Sequence, residues 1–180
     1  MANPLKLGPL TRRRITVLSL SLLAIAIAWP MAIYQFASEP ALAGSSREFN
    51  GFDVSNATIP VAEIHSGGPP RDGIPAIDNP RFVPVREADF MRPDDLVLGY
   101  SHGGDSHAYP LRILVWHEIV NDVVGGRPVM ATYCPLCGTA MMFDRRYGGK
   151  ALSFGVSGLL YQSDVLMYDH QTDGLWSQLK

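Results

Sequence analysis

The first apolar pattern in the chain is one long run near its start. Residues 15–37 contain no charged side chain over 23 positions. As a helix, such a run measures about 34 Å at roughly 1.5 Å per residue, which is enough to cross a bilayer. Basic residues precede the run, whereas the first acidic residue is Glu39. The pattern predicts a cytoplasmic basic tail over residues 1–14, followed by a transmembrane anchor or the hydrophobic region of a signal peptide.

The charges around this run also predict where the rest of the chain resides. Basic residues on the N-terminal side place the later residues outside the cytoplasm. We therefore expect an inner-membrane protein, held in the membrane by its N-terminal helix, with its domain facing the periplasm or the cell exterior. The alternative is cleavage after Ala41-Leu42-Ala43, an acceptable A-x-A site, which would release the domain into the periplasm.

Short apolar strands dominate the second half of the chain. Leu152, Phe154 and Val156 alternate with small residues, which predicts a strand with one buried face over residues 150–156. The preceding Gly148-Gly149 is typical of a hairpin turn. Further strands are predicted at residues 96–100, 107–109, 128–133, 139–146, 165–169 and 175–178.

One segment has the pattern of a helix. Pro110 suits a first helical turn and Gly125-Gly126 marks a stop, so residues 111–122 are predicted to be helical. Residues 38–80 are rich in Gly, Pro, Ser and Asn, and we expect a linker that continues as an ordered wrap of turns. Residues 81–180 then form the β-rich domain. The fold class that follows is β-rich α+β, with a mainly antiparallel sheet and one or two short helices.

Length and charge narrow the range of partners. Residues 44–180 are 137 residues long, which suits one domain. They carry 11 Lys and Arg against 16 Asp and Glu, and no basic cluster remains outside the N-terminal tail. We therefore expect no nucleic-acid binding.

The chain has two cysteines, and both lie in the run Tyr133-Cys134-Pro135-Leu136-Cys137-Gly138. Two thiols at this spacing can form a disulfide, exchange electrons with another dithiol or supply two ligands of a metal site. An exported protein meets an oxidising compartment, where disulfides form. A bridge across two intervening residues closes a very small loop, however, and so adds little stability. A purely structural role is therefore a poor explanation of the pair.

The main hypothesis is a soft-metal site built on Cys134 and Cys137. The pair resembles one knuckle of a zinc ribbon, but the chain has no second pair, so other side chains or a second protein chain must supply the remaining ligands. His117 is the best third ligand, because it lies at the end of the helix that leads into the strand before Cys134. The candidates for a fourth ligand are Met167 and His170. Two thiolates, an imidazole and a thioether suit copper better than zinc, since soft sulfur ligands select Cu(I).

A thiol–disulfide redox protein is the first alternative. Cys134 would be the attacking thiol, because it ends a strand and is expected to be more exposed than Cys137. Its thiolate would be favoured by His117 or Arg145 nearby. A thioredoxin-like arrangement would need a helix after the pair, whereas residues 139–146 are predicted to be a strand.

A non-catalytic module that binds a peptide or a glycan is the second alternative. In that case the cysteines would only fix one loop, and the protein partner or glycan would lie in a groove elsewhere. The side chains expected to line such a groove are Asp72, Asp78, Tyr109, Trp116, Tyr161 and Trp176.

A series of sequence blocks adds a family resemblance. The blocks are residues 72–80 (DGIPAIDNP), 108–111 (AYPL), 116–122 (WHEIVND), 132–138 (TYCPLCG), 154–161 (FGVSGLLY) and 175–178 (LWSQ). In this order, over residues 60–178, they closely resemble the bacterial and archaeal family catalogued as "domain of unknown function 3179". The resemblance implies an exported, often membrane-anchored protein whose common residues include His117, Cys134 and Cys137, and it implies no activity. Family domains continue past the tryptophan block, so this chain is expected to be shortened at its C-terminus, with an unpaired sheet edge.

Overall fold

The structure of the chain is a computed structural model, and it describes residues 48–180. The predicted basic tail, the predicted membrane or signal helix and the first part of the predicted linker lie outside the described residues. Within residues 48–180, no helix has the length and apolar character needed to span a membrane.

Strands account for most of the regular structure in this part of the chain, and residues 48–180 contain one α-helix. The elements in chain order are β1 (Glu48–Phe49), β2 (Phe52–Asp53), a 3-10 helix (Val61–Glu63), β3 (Ile64–Ser66), β4 (Ile77–Asp78), a 3-10 helix (Val85–Glu87), β5 (Val97–His102), β6 (Asp105–Pro110), α1 (Leu111–His117), β7 (Ile119–Val124), β8 (Arg127–Cys134), β9 (Thr139–Asp144), β10 (Arg146–Tyr147), β11 (Lys150–Ala151), β12 (Phe154–Tyr161), β13 (Asp164–Asp169) and β14 (Leu175–Ser177). The predicted β-rich class is confirmed.

Two four-stranded sheets form the framework of the described residues. The first sheet has the order β14-β13-β12-β3, and all its neighbouring strands are antiparallel. The second has the order β4-β7-β8-β9, in which β4 and β7 are parallel and the other pairs are antiparallel. Three two-stranded hairpins, β1-β2, β5-β6 and β10-β11, complete the strands. The predicted mainly antiparallel pairing is therefore confirmed.

Side chains from both sheets share one buried cluster. The second sheet contributes Ile119, Met130 and Cys134, and the first sheet contributes residues of β12 and β13. The predicted alternation in residues 150–156 is confirmed in this cluster, since Leu152, Phe154 and Val156 all belong to it. The strand itself is interrupted, because β11 ends at Ala151 and β12 begins at Phe154. One cysteine of the pair is thus part of the core that the two sheets bury.

The predicted helix over residues 111–122 is wrong in its second half. Helix α1 ends at His117, because Glu118 has a φ of +57°, a left-handed conformation that cannot continue the helix. Residues 119–124 instead form β7 and pair with β8 along its length. Their sequence, IVNDVV, is rich in β-branched side chains, which favour a strand once a partner strand is available.

The described part of the predicted linker and wrap contributes to both sheets. β3 pairs with β12, and β4 pairs with β7. Asn121 in β7 then ties the two sheets together. Its Nδ2 donates to Asp78 Oδ1 at 2.9 Å and to the Phe154 carbonyl oxygen at 2.8 Å, while its Oδ1 accepts from the Phe154 N–H at 3.0 Å. The domain boundary near residue 80 stays a prediction.

Candidate metal centre

The cysteine pair lies in the loop that joins β8 to β9. β8 ends at Cys134, and β9 begins at Thr139, which lies opposite Cys134 in the register. The Gly138 N–H donates to the Cys134 carbonyl oxygen at 2.8 Å. Gly138 has a φ of +69°, a left-handed conformation that glycine adopts without steric cost. The hairpin turn therefore holds both cysteines at one end of the second sheet.

The two thiols differ in their exposure to solvent. Cys134 is 1% exposed, whereas Cys137 is exposed. Burial raises the pKa of Cys134 to about 11, because a thiolate is poorly solvated in the interior. The expectation that Cys134 is the more exposed, attacking thiol is therefore wrong. An attack on an external substrate has to begin at Cys137.

The two side chains expected to favour a Cys134 thiolate have other partners. The Arg145 guanidinium donates to the backbone carbonyl oxygens of Val129, Leu152 and Asp122. The Nδ1 atom of His117 lies 2.8 Å from the carbonyl oxygen of Pro75. Neither side chain is among the groups that shift the pKa of Cys134, which burial raises.

A buried carboxylate lies against the cysteine pair. Asp164, the first residue of β13, is 2% exposed. Its Oδ1 lies 3.1 Å from Cys137 Sγ, and its Oδ2 has no hydrogen-bond partner among the described residues. One ligand atom from each of Cys134, Cys137 and Asp164 lies within 4.8 Å of the other two. These three residues could therefore hold one metal ion.

Of the predicted ligands other than the cysteines, the two histidines lie outside the metal group, whereas Met167 shares a core cluster with Cys134. His117 and His170 do not belong to the group formed by the cysteines and Asp164. The His170 ring lies 5.0 Å from the Tyr168 ring, centroid to centroid. Met167 is buried in the core cluster that also contains Cys134. The structure thus brings a carboxylate to the pair where the sequence predicted an imidazole.

The sequence does not predict Asp164 as a ligand, because little in it connects this residue to the cysteine loop. It lies 27 residues after Cys137 and belongs to a strand of the other sheet. The one available signal was a carboxylate directly before the apolar run Val165-Leu166-Met167. A buried acid at such a position needs a partner, but the partner is set by packing between sheets.

The residues predicted to line a binding groove are dispersed. Tyr109 packs in a cluster with Leu114, and Tyr161 packs in a different cluster with Phe52. Trp116 is 74% exposed. The three aromatic side chains therefore do not line one common groove.

A comparison with protein families assigns the chain to one of them. Residues 71–180 match the family described as "Protein of unknown function (DUF3179)", which is more than half of the chain. The chain belongs to the DUF3179 family. The resemblance of the sequence blocks is confirmed by this match, and the three residues of the candidate metal centre all lie inside it. No curated protein and no solved structure matches the chain. The function of this DUF3179 domain therefore has to be argued from its own site.

The difference in burial predicts a difference in thiol reactivity for the metal-free DUF3179 domain. We expect iodoacetamide to modify Cys137 long before Cys134. Cys134 has a pKa of about 11, so about one such side chain in a thousand is a thiolate at pH 8, and its modification rate should rise about tenfold per pH unit up to about pH 11. Mass spectrometry of the Cys134→Ser and Cys137→Ser variants measures each thiol separately. Equal rates at pH 8 would contradict the burial of Cys134.

Proposed function

We propose that this DUF3179 domain binds one zinc ion through Cys134, Cys137 and Asp164, on the exported side of the inner membrane. The observation that carries the proposal is the Oδ2 atom of the buried Asp164 carboxylate, which has no hydrogen-bond partner among residues 48–180. A buried charge without a partner is costly, and buried carboxylates are usually paired with a cation or bound to a metal. A metal ion beside the two sulfurs supplies the missing cation.

The spacing of the ligand atoms supports this proposal. Zinc binds sulfur at about 2.3 Å and carboxylate oxygen at about 2.0–2.2 Å, so tetrahedral ligand atoms lie about 3.5–3.8 Å from one another. The three ligand atoms here lie within 4.8 Å of one another. A contraction of about 1 Å would therefore bring all three atoms to zinc-binding distances. Cys137 is exposed at the loop surface, and it has the greatest freedom to make that movement.

The chemistry of the donor set favours zinc over copper. The sequence hypothesis of copper relied on an imidazole and a thioether beside the thiolates. A carboxylate oxygen is a hard ligand that zinc accepts together with cysteine, whereas Cu(I) selects soft sulfur ligands. Copper(I) on the two thiolates alone is the competing outcome, and it leaves Asp164 without a role.

Zinc affinity should depend on pH with a definite sign. Both thiols must lose their protons to bind zinc, and burial raises the pKa of Cys134 to about 11 in the metal-free protein. Zinc therefore has to displace a proton from Cys134 at neutral pH. Its affinity should rise with increasing pH and fall as the solution is made more acidic.

A zinc titration distinguishes the ligand set Cys134, Cys137 and Asp164 from the sequence-predicted set that contains His117. We expect the purified full-length chain to take up one zinc per chain in competition with a chromophoric chelator. The Cys134→Ser variant should lose this zinc, whereas His117→Ala should retain it, since the His117 Nδ1–H donates to the Pro75 carbonyl oxygen and His117 is outside the metal group.

Two results would count against the proposal. Absence of stoichiometric zinc in the wild-type protein would reject it outright. If His117→Ala loses zinc but remains folded by circular dichroism, the His117 imidazole is a ligand after all. A parallel Cu(I) titration decides between the metals, because a thiolate-only copper site should be unaffected by substitution of Asp164.

Thiol–disulfide exchange is the second candidate, and the unequal exposure of the two thiols favours it. The Cys137 thiolate would attack one sulfur of a substrate disulfide, and the other substrate sulfur would leave as a thiolate. The Cys134 thiolate would then attack Cys137 Sγ, forming the internal disulfide and releasing the second substrate thiolate. A protein without stoichiometric metal, but with a Cys134–Cys137 disulfide that forms and breaks reversibly in a glutathione buffer, would support this function instead.

A further inference from the structure

Gln178 is a second buried polar side chain beside the cysteine loop. It is 2% exposed, and its Nε2 donates to Thr132 Oγ1 at 2.7 Å and to the Thr139 carbonyl oxygen at 3.2 Å. Its Oε1 has no hydrogen-bond partner within residues 48–180. In that part of the chain, Gln178 Oε1 and Asp164 Oδ2 are the two buried side-chain atoms left without a partner. Both belong to residues that contact the β8–β9 hairpin.

The hydrogen-bond partners fix the direction of the Gln178 amide. The Thr139 carbonyl oxygen can only accept, so the amide nitrogen must face it. Thr132 Oγ1 donates to the Met141 carbonyl oxygen at 3.3 Å, and so it accepts from Gln178. The reversed amide would set two oxygens against each other at Thr139. The unpaired Oε1 therefore follows from the fold.

Gln178 lies on the face of β8 that carries the buried thiol. Thr132 and Cys134 are two residues apart in one strand, so their side chains lie on the same face, about 6.6 Å apart along the strand. Thr139 connects the amide to the other thiol. Its carbonyl oxygen accepts from Gln178, and its Oγ1 lies 3.1 Å from Cys137 Sγ. Thr132 and Thr139 thus link the Gln178 amide to the hairpin that carries both cysteines.

We infer that the zinc site keeps its fourth coordination position for an exogenous ligand that donates a hydrogen bond to Gln178 Oε1. This inference rests on the proposed zinc function. Cys134, Cys137 and Asp164 supply three ligands, and zinc sites with three protein ligands bind water or substrate at the fourth position. A bound water satisfies Oε1, as does a substrate with an O–H or N–H group next to its metal-binding atom. The exposed Cys137 leaves this position accessible from solvent.

Two related heterocycles test the inference on the full-length protein loaded with cobalt(II), whose visible spectrum reports changes in coordination. Pyrazole and 1-methylpyrazole both bind metals through a ring nitrogen, but only pyrazole keeps an N–H on the atom next to that nitrogen. We expect the wild-type protein to prefer pyrazole, and we expect Gln178→Leu to reduce this preference about five- to tenfold, the equivalent of one hydrogen bond. Gln171→Leu is the control, because Gln171 is an exposed glutamine bonded to Ser153.

The possible results separate the inference from the zinc function on which it rests. Absence of stoichiometric cobalt in the wild-type protein contradicts the metal function itself. Stoichiometric cobalt whose spectrum does not change on addition of pyrazole contradicts only the open position. An unchanged preference in Gln178→Leu, or in Gln178→Met should the first variant not fold, excludes Gln178 as the acceptor. If neither variant folds, equal affinity of the wild-type protein for the two heterocycles overturns the inference.

Discussion

Replacing Asp164 with asparagine is expected to weaken zinc binding by at least about 100-fold, since loss of a residue that merely supports a metal ligand already costs 10–100-fold. The amide keeps the shape of the side chain but removes the charge that draws the cation into the pocket. In the Asp164→Asn variant, the two sulfurs alone would have to hold the metal. A competitive zinc titration measures the change directly.

The same substitution should have the opposite effect on the metal-free protein. Asp164 is 2% exposed, and its Oδ2 has no hydrogen-bond partner in the described part of the chain. A buried polar group without a partner costs about 1–3 kcal/mol of folding free energy, or more when charged. Asp164→Asn should therefore increase the free energy of unfolding in the presence of a chelator. In zinc at 100 times its dissociation constant, the wild-type protein gains about 2.7 kcal/mol, whereas a variant that binds 100-fold more weakly gains about 0.4 kcal/mol. The order of stability of the two proteins should therefore reverse when zinc is added.

Chemical denaturation with and without zinc tests this reversal. Asp94→Asn is the matched control, because Asp94 is an exposed aspartate, and it should change neither zinc affinity nor the response to chelator. A variant that is less stable than wild type in chelator, and that still gains stability from zinc, would show that the Asp164 carboxylate serves the fold and not a metal.

Replacing Arg145 with leucine is expected to destabilise the domain by at least about 3 kcal/mol, because it removes three hydrogen bonds that contribute roughly 1 kcal/mol each, and more when the donor is charged. Its Nε donates to the Val129 carbonyl oxygen at 2.8 Å and its Nη2 to the Asp122 carbonyl oxygen at 3.0 Å, while Nη1 donates to the Leu152 carbonyl oxygen. These contacts join β7 and β8 to the chain that enters β12. Leucine fills part of the volume but leaves all three carbonyl groups without their donor.

Burial lowers the pKa of Arg145 below its ordinary value, and attraction from Asp78 and Asp122 opposes this effect. Arg145→Lys should therefore recover only part of the lost stability, because one ammonium group cannot reach the three carbonyl oxygens in the planar geometry of a guanidinium. Urea denaturation of the three proteins measures the series.

The neighbouring arginine provides the control for this series. Arg146 pairs with Asp144 at the surface, and surface ion pairs contribute little to stability. Arg146→Leu should therefore lower the urea midpoint far less than Arg145→Leu. Equal decreases in the urea midpoint for the two variants would show that the carbonyl contacts of Arg145 contribute no more to stability than the surface ion pair of Arg146.

Local sequence patterns predicted part of the secondary structure correctly and failed in another part. The alternation of Leu152, Phe154 and Val156 predicted one buried face, and all three side chains lie in the shared core. The same kind of reasoning failed at residues 118–122, where a run predicted to be helical forms a strand. Glu118 adopts a left-handed conformation and the following residues pair with β8. Pairing with a partner strand determines whether such a segment becomes a strand or a helix, and the local sequence pattern does not reveal that partner.

The sequence by itself determined the β-rich class, the family and the placing of both thiols in one tight turn, because alternation, turn residues and a Cys-x-x-Cys spacing act over a few neighbouring positions. Only the tertiary structure decided what surrounds the thiols. Burial of Cys134, exposure of Cys137 and the approach of Asp164 and Gln178 all depend on how β8 and β9 lie against β13 and the residues after β14. These contacts join positions far apart in the chain. Their geometry is set by packing between sheets, which the pattern within any one strand does not specify.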